Sequence, residues 1–124
     1  MKALSVKQPW AWLIATERKS IETRTWPTSY RGDLLICSGK KPVSDINIRE
    51  WFHENFGLWA MMQLKFGVAL CTAEIVDCRR MTADDEKAAQ CVVLSGAYSW
   101  ILKNIRPLAP FPVKGQQGIF EVKK

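Results

Sequence analysis

The stretch covering residues 4–32, LSVKQPWAWLIATERKSIETRTWPTSYRG, limits the possible folds more than any other part of the chain. Ala3 to Val6 is predicted as a short buried strand that stops before Lys7-Gln8-Pro9. Proline suits the first turn of a helix, where the N–H it lacks has no intrahelical partner, so a helix is expected from about Gln8. Trp10, Leu13 and Ile14 share one face at helical spacing, and Trp12 falls off that stripe, which leaves its exposure open. Residues 20–26, SIETRTW, alternate and are rich in β-branched side chains, which favours a strand. Ser20, Glu22, Arg24 and Trp26 share one face of it. Ile21, Thr23 and Thr25 share the other, which is expected to pack on the core. A lysine (Lys19), a carboxylate, a guanidinium and an indole this close together are hard to explain by core packing alone and suggest a polar cleft.

Pro27 ends that strand, Tyr30-Arg31-Gly32-Asp33 makes a turn, and LLIC at 34–37 is predicted as a strand buried on both faces. Ser38-Gly39-Lys40-Lys41-Pro42 follows as a small basic loop. Ser44 is placed to cap a helix running to about Met62, with Ile48, Trp51, Phe52, Phe56 and Trp59 as its apolar stripe and Gly57 as an interruption. Residues 66–78 (FGVALCTAEIVDC) predict a long strand, and the charged segment 81–90 (MTADDEKAAQ) a solvated turn or short helix. Residues 96–106 predict another strand, with Tyr98, Trp100 and Leu102 on one face, and Pro107, Pro110 and Pro112 bar a regular ladder beyond it. A Lys114-Gly115-Gln116-Gln117-Gly118 loop leads into a last strand, IFEV. There is no internal repeat. Five or six strands with two helices inserted early and midway predict a single α+β domain over residues 1–124, its sheet closing into a small β-barrel with the helices packed around it.

A chain of 124 residues is the size of one domain and can bury a real core without staples. Its 18 basic and 12 acidic side chains give a net charge of +6, which favours a polyanionic partner, nucleic acid first, although mild basicity also serves solubility. The four cysteines contain no C-x-x-C pair and His53 is the only histidine, so the ligand pattern of a structural zinc site is absent and no metal site is expected. A ribonuclease mechanism built on two histidines is excluded for the same reason. Cys37 and Cys71 lie in apolar strand-like runs, where a reduced thiol behaves as a small hydrophobe, and this favours a cytoplasmic location. No apolar run approaches the roughly 20 residues that span a bilayer, and the N-terminus lacks the order of a signal peptide. No cofactor motif is present.

Several motifs then recur in order: Leu4-Ser5-Val6-Lys7-Gln8-Pro9-Trp10, Lys19-Ser20-Ile21-Glu22-Thr23-Arg24-Thr25-Trp26, Tyr30-Arg31-Gly32, Gly96-Ala97-Tyr98-Ser99-Trp100 and Lys114-Gly115-Gln116-Gln117-Gly118-Ile119-Phe120. Together they resemble the ASCH domain family, the activating signal cointegrator homology domain, from the first strand to the last. The resemblance implies a PUA-like β-barrel with a cleft bordered by the first helix and a Gly-x-Lys-x-x-Glu signature. It also implies RNA binding, ribonuclease activity or amide hydrolysis of N4-acetylcytidine as candidate activities. Glu17 stands where the signature has glycine; if that position needs positive φ, glutamate there costs on the order of 1 kcal/mol. The acetylcytidine hydrolases that the chain resembles carry a threonine nucleophile where it has Glu22, with a lysine matching Lys19, and their further carboxylate falls in the region of Asp84, Asp85 and Glu86. A different hydrolytic arrangement has Lys19 stabilising an oxyanion and Glu22 acting as general base on water.

Each candidate has two readings. Lys19, Glu22 and Arg24 form either an ion-pair cluster holding the first helix to the barrel or one wall of a ligand cleft, and Arg24 can orient Glu22 while Lys19 faces the ligand. Trp26, with Tyr30 and Arg31 nearby, suits base stacking with phosphate contact, or else is a core indole. Lys40 with Lys41, and Lys114 with its glycines, lie in small basic loops that either touch phosphate or are only solvated, and neither loop has Walker spacing. Trp10, Trp51 and Trp59 are expected in the core, Tyr98 and Trp100 in the barrel, and His53 at the surface or its boundary. The leading expectation is a domain that binds single-stranded RNA or a modified nucleoside. Its expected binding residues are Lys7, Gln8, Trp10, Arg24, Trp26, Tyr30, Arg31, Ser38, Lys40 and Lys114. The alternative is a hydrolase in which Lys19 and Glu22 are catalytic, and a further alternative is a protein-interaction module with an exposed apolar patch around Trp12.

Overall fold

The computed structural model describes residues 1–123. Its strands are β1 (Lys2–Val6), β2 (Ile21–Arg24), β3 (Gly32–Ser38), β4 (Val68–Arg80), β5 (Tyr98–Pro112) and β6 (Ile119–Glu121). They form one sheet in the order β2-β5-β4-β3-β1-β6, curled into a half-barrel. Its pairs are antiparallel except β1 with β3. Helix α1 (Trp10–Ala15) crosses from β1 towards β2, α2 (Ile46–Met62) joins β3 to β4, and a 3₁₀ turn (Ala83–Asp85) running into α3 (Glu86–Ala89) lies between β4 and β5.

Strand alternation decides where the core sits. Leu34 and Ile36 of β3 enter the main cluster with Leu4, Ile14, Ile75 and Trp100, while Leu35 and Cys37 enter a second one with Ala3, Ala69 and Phe120. The LLIC strand is therefore buried on both faces, as its unbroken apolar run requires. Trp12 is half-buried: Phe52 and Phe56 of α2 meet its ring edge-on at 5.6 and 6.1 Å, and the Arg18 guanidinium lies 4.9 Å from the ring centre.

The structure corrects four expectations. The strand over 96–106 continues through the three prolines to Pro112, with register shifts against β4. β2 pairs only with residues 98–101, so on that side no strand flanks the proline-rich part of β5, and edge positions are where proline is tolerated. The second correction concerns α2, which is capped by Asp45 rather than Ser44; the Asp45 carboxylate accepts the Asn47 N–H at 2.9 Å. Gly57 (φ 87°, ψ 172°) interrupts the helix and resets its phase, so Ala60 is buried and Trp59 is 69 % exposed instead of being core. Third, β2 is covered on both faces. Trp26 packs edge-on to Trp100 at 4.7 Å and Glu22 is buried, while Ile21 meets Met81, Ala89 and Ala97 on the other face and Thr25 is exposed. Finally, the 81–90 segment is the short helix of its two expected forms, but it is packed rather than solvated, because Met81, Asp85 and Ala89 are buried beside β2 and β5.

Candidate functional site

The site begins where α1 ends. Glu17 adopts φ 61°, the left-handed conformation that the signature glycine would adopt freely. The N–H groups of Arg18 and Lys19 then both reach the Leu13 carbonyl, at 2.8 and 3.0 Å, which closes the helix and turns Lys19 inward. Lys19 is 2 % exposed. Its Nζ donates to the Ala89 carbonyl at the end of α3 and lies 3.8 Å from Glu22 Oε1. Burial lowers the Lys19 pKa from its ordinary value, with Glu22 and Cys91 opposing the shift and Arg24 adding to it. Glu22, 6 % exposed, accepts the Arg24 Nε–H at 3.0 Å, and Arg24 Nη2 donates to the Ser5 carbonyl of β1 at 2.8 Å. A chain of polar contacts thus runs from α3 through β2 to β1.

Arg24 opens onto a cleft of about 880 Å³. Trp10 and Trp26 supply its indoles, and Lys7, Lys40, Lys41 and Lys114 its other cations. No carboxylate lines it, and none of the four lysines has an ion-pair partner among the described residues. Two loops form the rim. The 38–41 loop is anchored by the Gly39 N–H on the Val6 carbonyl (3.1 Å), and Ser38 Oγ both donates to and accepts from Val68 at 3.3 Å. In the 114–118 loop, Gly115 comes so close to Ser5 that a Cβ there would meet the hydroxyl at 3.1 Å. A sequence model described as the ASCH domain matches residues 4–112.

The chain belongs to the ASCH domain family. Among known proteins it is similar to human and mouse activating signal cointegrator 1, each 28 % identical over 127 residues. The match covers 96 % of this chain and 22 % of each of those proteins, so the chain spans about a fifth of the length of these curated relatives. Among solved structures, an ASCH protein from Zymomonas mobilis superposes with a TM-score of 0.64 over 99 % of this chain and 87 % of its own, at 11 % identity. A mutant form of that Zymomonas protein gives a TM-score of 0.60 over 99 % and 90 %, at 10 % identity. At such identities the likeness is one of fold, and it supports the α+β PUA-like barrel.

Of the residues singled out in the sequence, this ASCH fold brings Lys7, Trp10, Arg24, Trp26, Ser38, Lys40 and Lys114 to one cleft. Lys19 and Glu22 do not line it; they lie behind Arg24. Gln8 is placed elsewhere. Its amide donates to the Lys65 carbonyl and accepts from the Trp12 N–H, both at 2.8 Å, beside an apolar pocket of about 300 Å³ lined by Phe52, Met61 and Leu64. Tyr30 and Arg31 also lie outside the cleft lining. The Tyr30 hydroxyl donates to the Asp33 carbonyl at 2.6 Å, and the Arg31 guanidinium donates to the carbonyls of Thr28 and Tyr30 and sits 3.8 Å from Asp77.

Asp84, Asp85 and Glu86 bring no carboxylate to the cleft either. Asp85 takes two bonds from Arg79 (2.8 and 2.7 Å), one from Ser99 Oγ (2.9 Å) and one from the Thr82 N–H (3.0 Å). The Arg79 bond leads these in holding its pKa far below the usual carboxylate range. Sequence reasoning missed Ser5, Thr23, Gln116 and Gln117, which also line the cleft with Lys41 of the predicted basic loop. Ser5, a polar residue between Leu4 and Val6 in an apolar strand, was the readable signal among them.

Proposed function

We propose that this ASCH domain binds single-stranded RNA, or a modified nucleoside within it, in the cleft between Trp10, Trp26 and the two rim loops. One observation carries the reading: five cations and two indoles converge on a cleft that no carboxylate lines among the described residues. Phosphates on such cations release counterions, and bases stack on indoles whatever their sequence. Family membership supports interaction with nucleic acid or protein at a coarse level. Four free cysteines fit the expected cytoplasmic location. Burial pushes Cys37 up to about 11 and Cys71 up to about 12, so neither thiol is poised to react. Titrating ¹⁵N-labelled protein with a short single-stranded RNA tests the proposal. The indole N–H signals of Trp10 and Trp26 and the amides of 38–41 and 114–118 are expected to shift. Shifts confined to α2 would contradict it.

The hydrolase alternative has weaker support. Glu22 is buried and does not line the cleft, with one oxygen accepting from Arg24 and the other 3.8 Å from Lys19 Nζ, so it is poorly placed to activate a water on a substrate bound there. Mass spectrometry of N4-acetylcytidine and RNA after incubation with the protein decides it, since a product lost in both Lys19→Ala and Glu22→Ala establishes an enzyme. The protein-interaction reading draws on the exposed Leu58, Trp59 and Met62 of α2, an apolar surface away from Trp12 itself.

A further inference from the structure

A guanidinium has five N–H donors in one plane. In Arg24, Nε–H is held by Glu22 and one Nη2–H by the Ser5 carbonyl, so two of its donors are fixed by groups on two different strands. Its remaining donors have no protein acceptor among the described residues, and the side chain is 22 % exposed at the cleft. No buried polar side-chain atom is left without a partner among the described residues, so the unpartnered Nη1 of this cleft-lining side chain is open to solvent. Glu22 reaches no ligand itself, being buried with one oxygen on Arg24 and the other facing Lys19. Lys19 supplies a second cation beside that carboxylate, so the negative charge beneath Arg24 does not cancel the field of the cleft.

We infer that Glu22 is a positioning residue, which acts on the ligand only through Arg24 by locking its guanidinium so that the free edge meets a pair of phosphate oxygens on the RNA backbone. This rests on the cleft reading above and names the contact at its floor. A pre-organised fork loses little side-chain freedom on binding, whereas an untethered arginine must be ordered by the ligand. Glutamine at position 22 keeps a carbonyl oxygen for the Arg24 Nε–H but cannot serve as a general base. Methionine fills similar space and offers no comparable acceptor.

The test is a double-mutant cycle read by anisotropy of a labelled single-stranded RNA, with each variant's fold checked by its amide spectrum. Glu22→Met is expected to weaken binding about tenfold when Arg24 is present and less than about twofold in the Arg24→Ala background, while Glu22→Gln stays within about threefold of the parent. An equal loss from Glu22→Met in both backgrounds, or Glu22→Gln as damaging as Glu22→Met, overturns the inference. If the parent protein binds no RNA, the cleft reading fails. The positioning role is then judged by the Arg24 Nε–Hε signal and a titration with inorganic sulfate. A signal protected from exchange in the parent and lost in Glu22→Met, together with a sulfate shift at Arg24, supports it. An unprotected signal in the parent overturns it.

Discussion

Asp85 with Arg79 and Glu22 with Arg24 are both buried carboxylates paired with guanidinium groups, yet they complete their bonding differently. Asp85 is saturated by Arg79, Ser99 and the Thr82 N–H, and its capping of the 3₁₀ turn fixes the start of α3. Glu22 takes a single bond from Arg24, the Ser5 carbonyl takes another, and the remaining donors belong to a side chain that lines the cleft. Both arginines keep free donors, and the place where those donors lie separates the two pairs where counting ion pairs would not: Arg24 lines the cleft and Arg79 does not. The first pair is built to hold elements together, and the second to present a cation.

Several experiments break or sharpen that contrast. The largest effect is expected from Asp85→Ala, which removes four hydrogen bonds at a buried position and should destabilise the fold by about 3 kcal/mol. Urea denaturation measures it, and RNA affinity of the folded fraction should stay within about twofold, since Asp85 does not line the cleft. The same carboxylate sets an acid response. Its pKa in the fold lies below the 3.8 of an unperturbed aspartate, so the unfolded chain binds the proton more readily. The stability it contributes is present above about pH 4 and falls as the pH drops below that value. Asp85→Asn should flatten this part of the profile, and an unchanged profile would mean that the pair is not a structural clamp.

Arg24→Ala comes next, with RNA affinity reduced about 30-fold and a melting temperature within a few degrees of the parent, the reverse of the Asp85 pattern. Lys40→Ala and Lys114→Ala should each weaken binding about threefold and lower the salt slope by about 0.7 without changing stability. Arg31→Ala should change affinity by less than about twofold, because its guanidinium is bound to Thr28 and Tyr30 carbonyls outside the cleft. A loss there as large as at Lys40 would extend the RNA path beyond the cleft.

The positions of the strands were readable because unbroken apolar runs and alternation depend on local chemistry, as in LLIC and in β4. The left-handed turn at Glu17 (φ 61°) has no signal in glutamate itself, and only the glycine of the signature that the chain resembles pointed to it. The interior side of β2 was not readable. Alternation separates Glu22, Arg24 and Trp26 from Ile21 and Thr23, but it cannot show that α3 covers one face while Trp100 covers the other. Trp59 was misplaced because helical phase does not survive Gly57. Within the site, Lys7, Lys40, Lys41 and Lys114 were legible as loop cations, whereas Gln8, and Tyr30 with Arg31 as an aromatic beside a cation, lie outside the cleft lining because residue type and spacing do not show where a side chain points. Ser5, Lys41 and Gln116 join the cleft because β1 pairs with both β3 and β6, which draws the 38–41 and 114–118 loops together.

The cleft as a binding surface for single-stranded RNA is tested most directly by the salt dependence of the dissociation constant, measured for the parent and for a variant with Lys7, Lys40, Lys41 and Lys114 all changed to alanine. The account predicts a log–log slope of about 3 for the parent, falling below about 1 in the variant as four phosphate contacts are lost. Equal slopes in the two proteins, or affinity independent of salt, would contradict it.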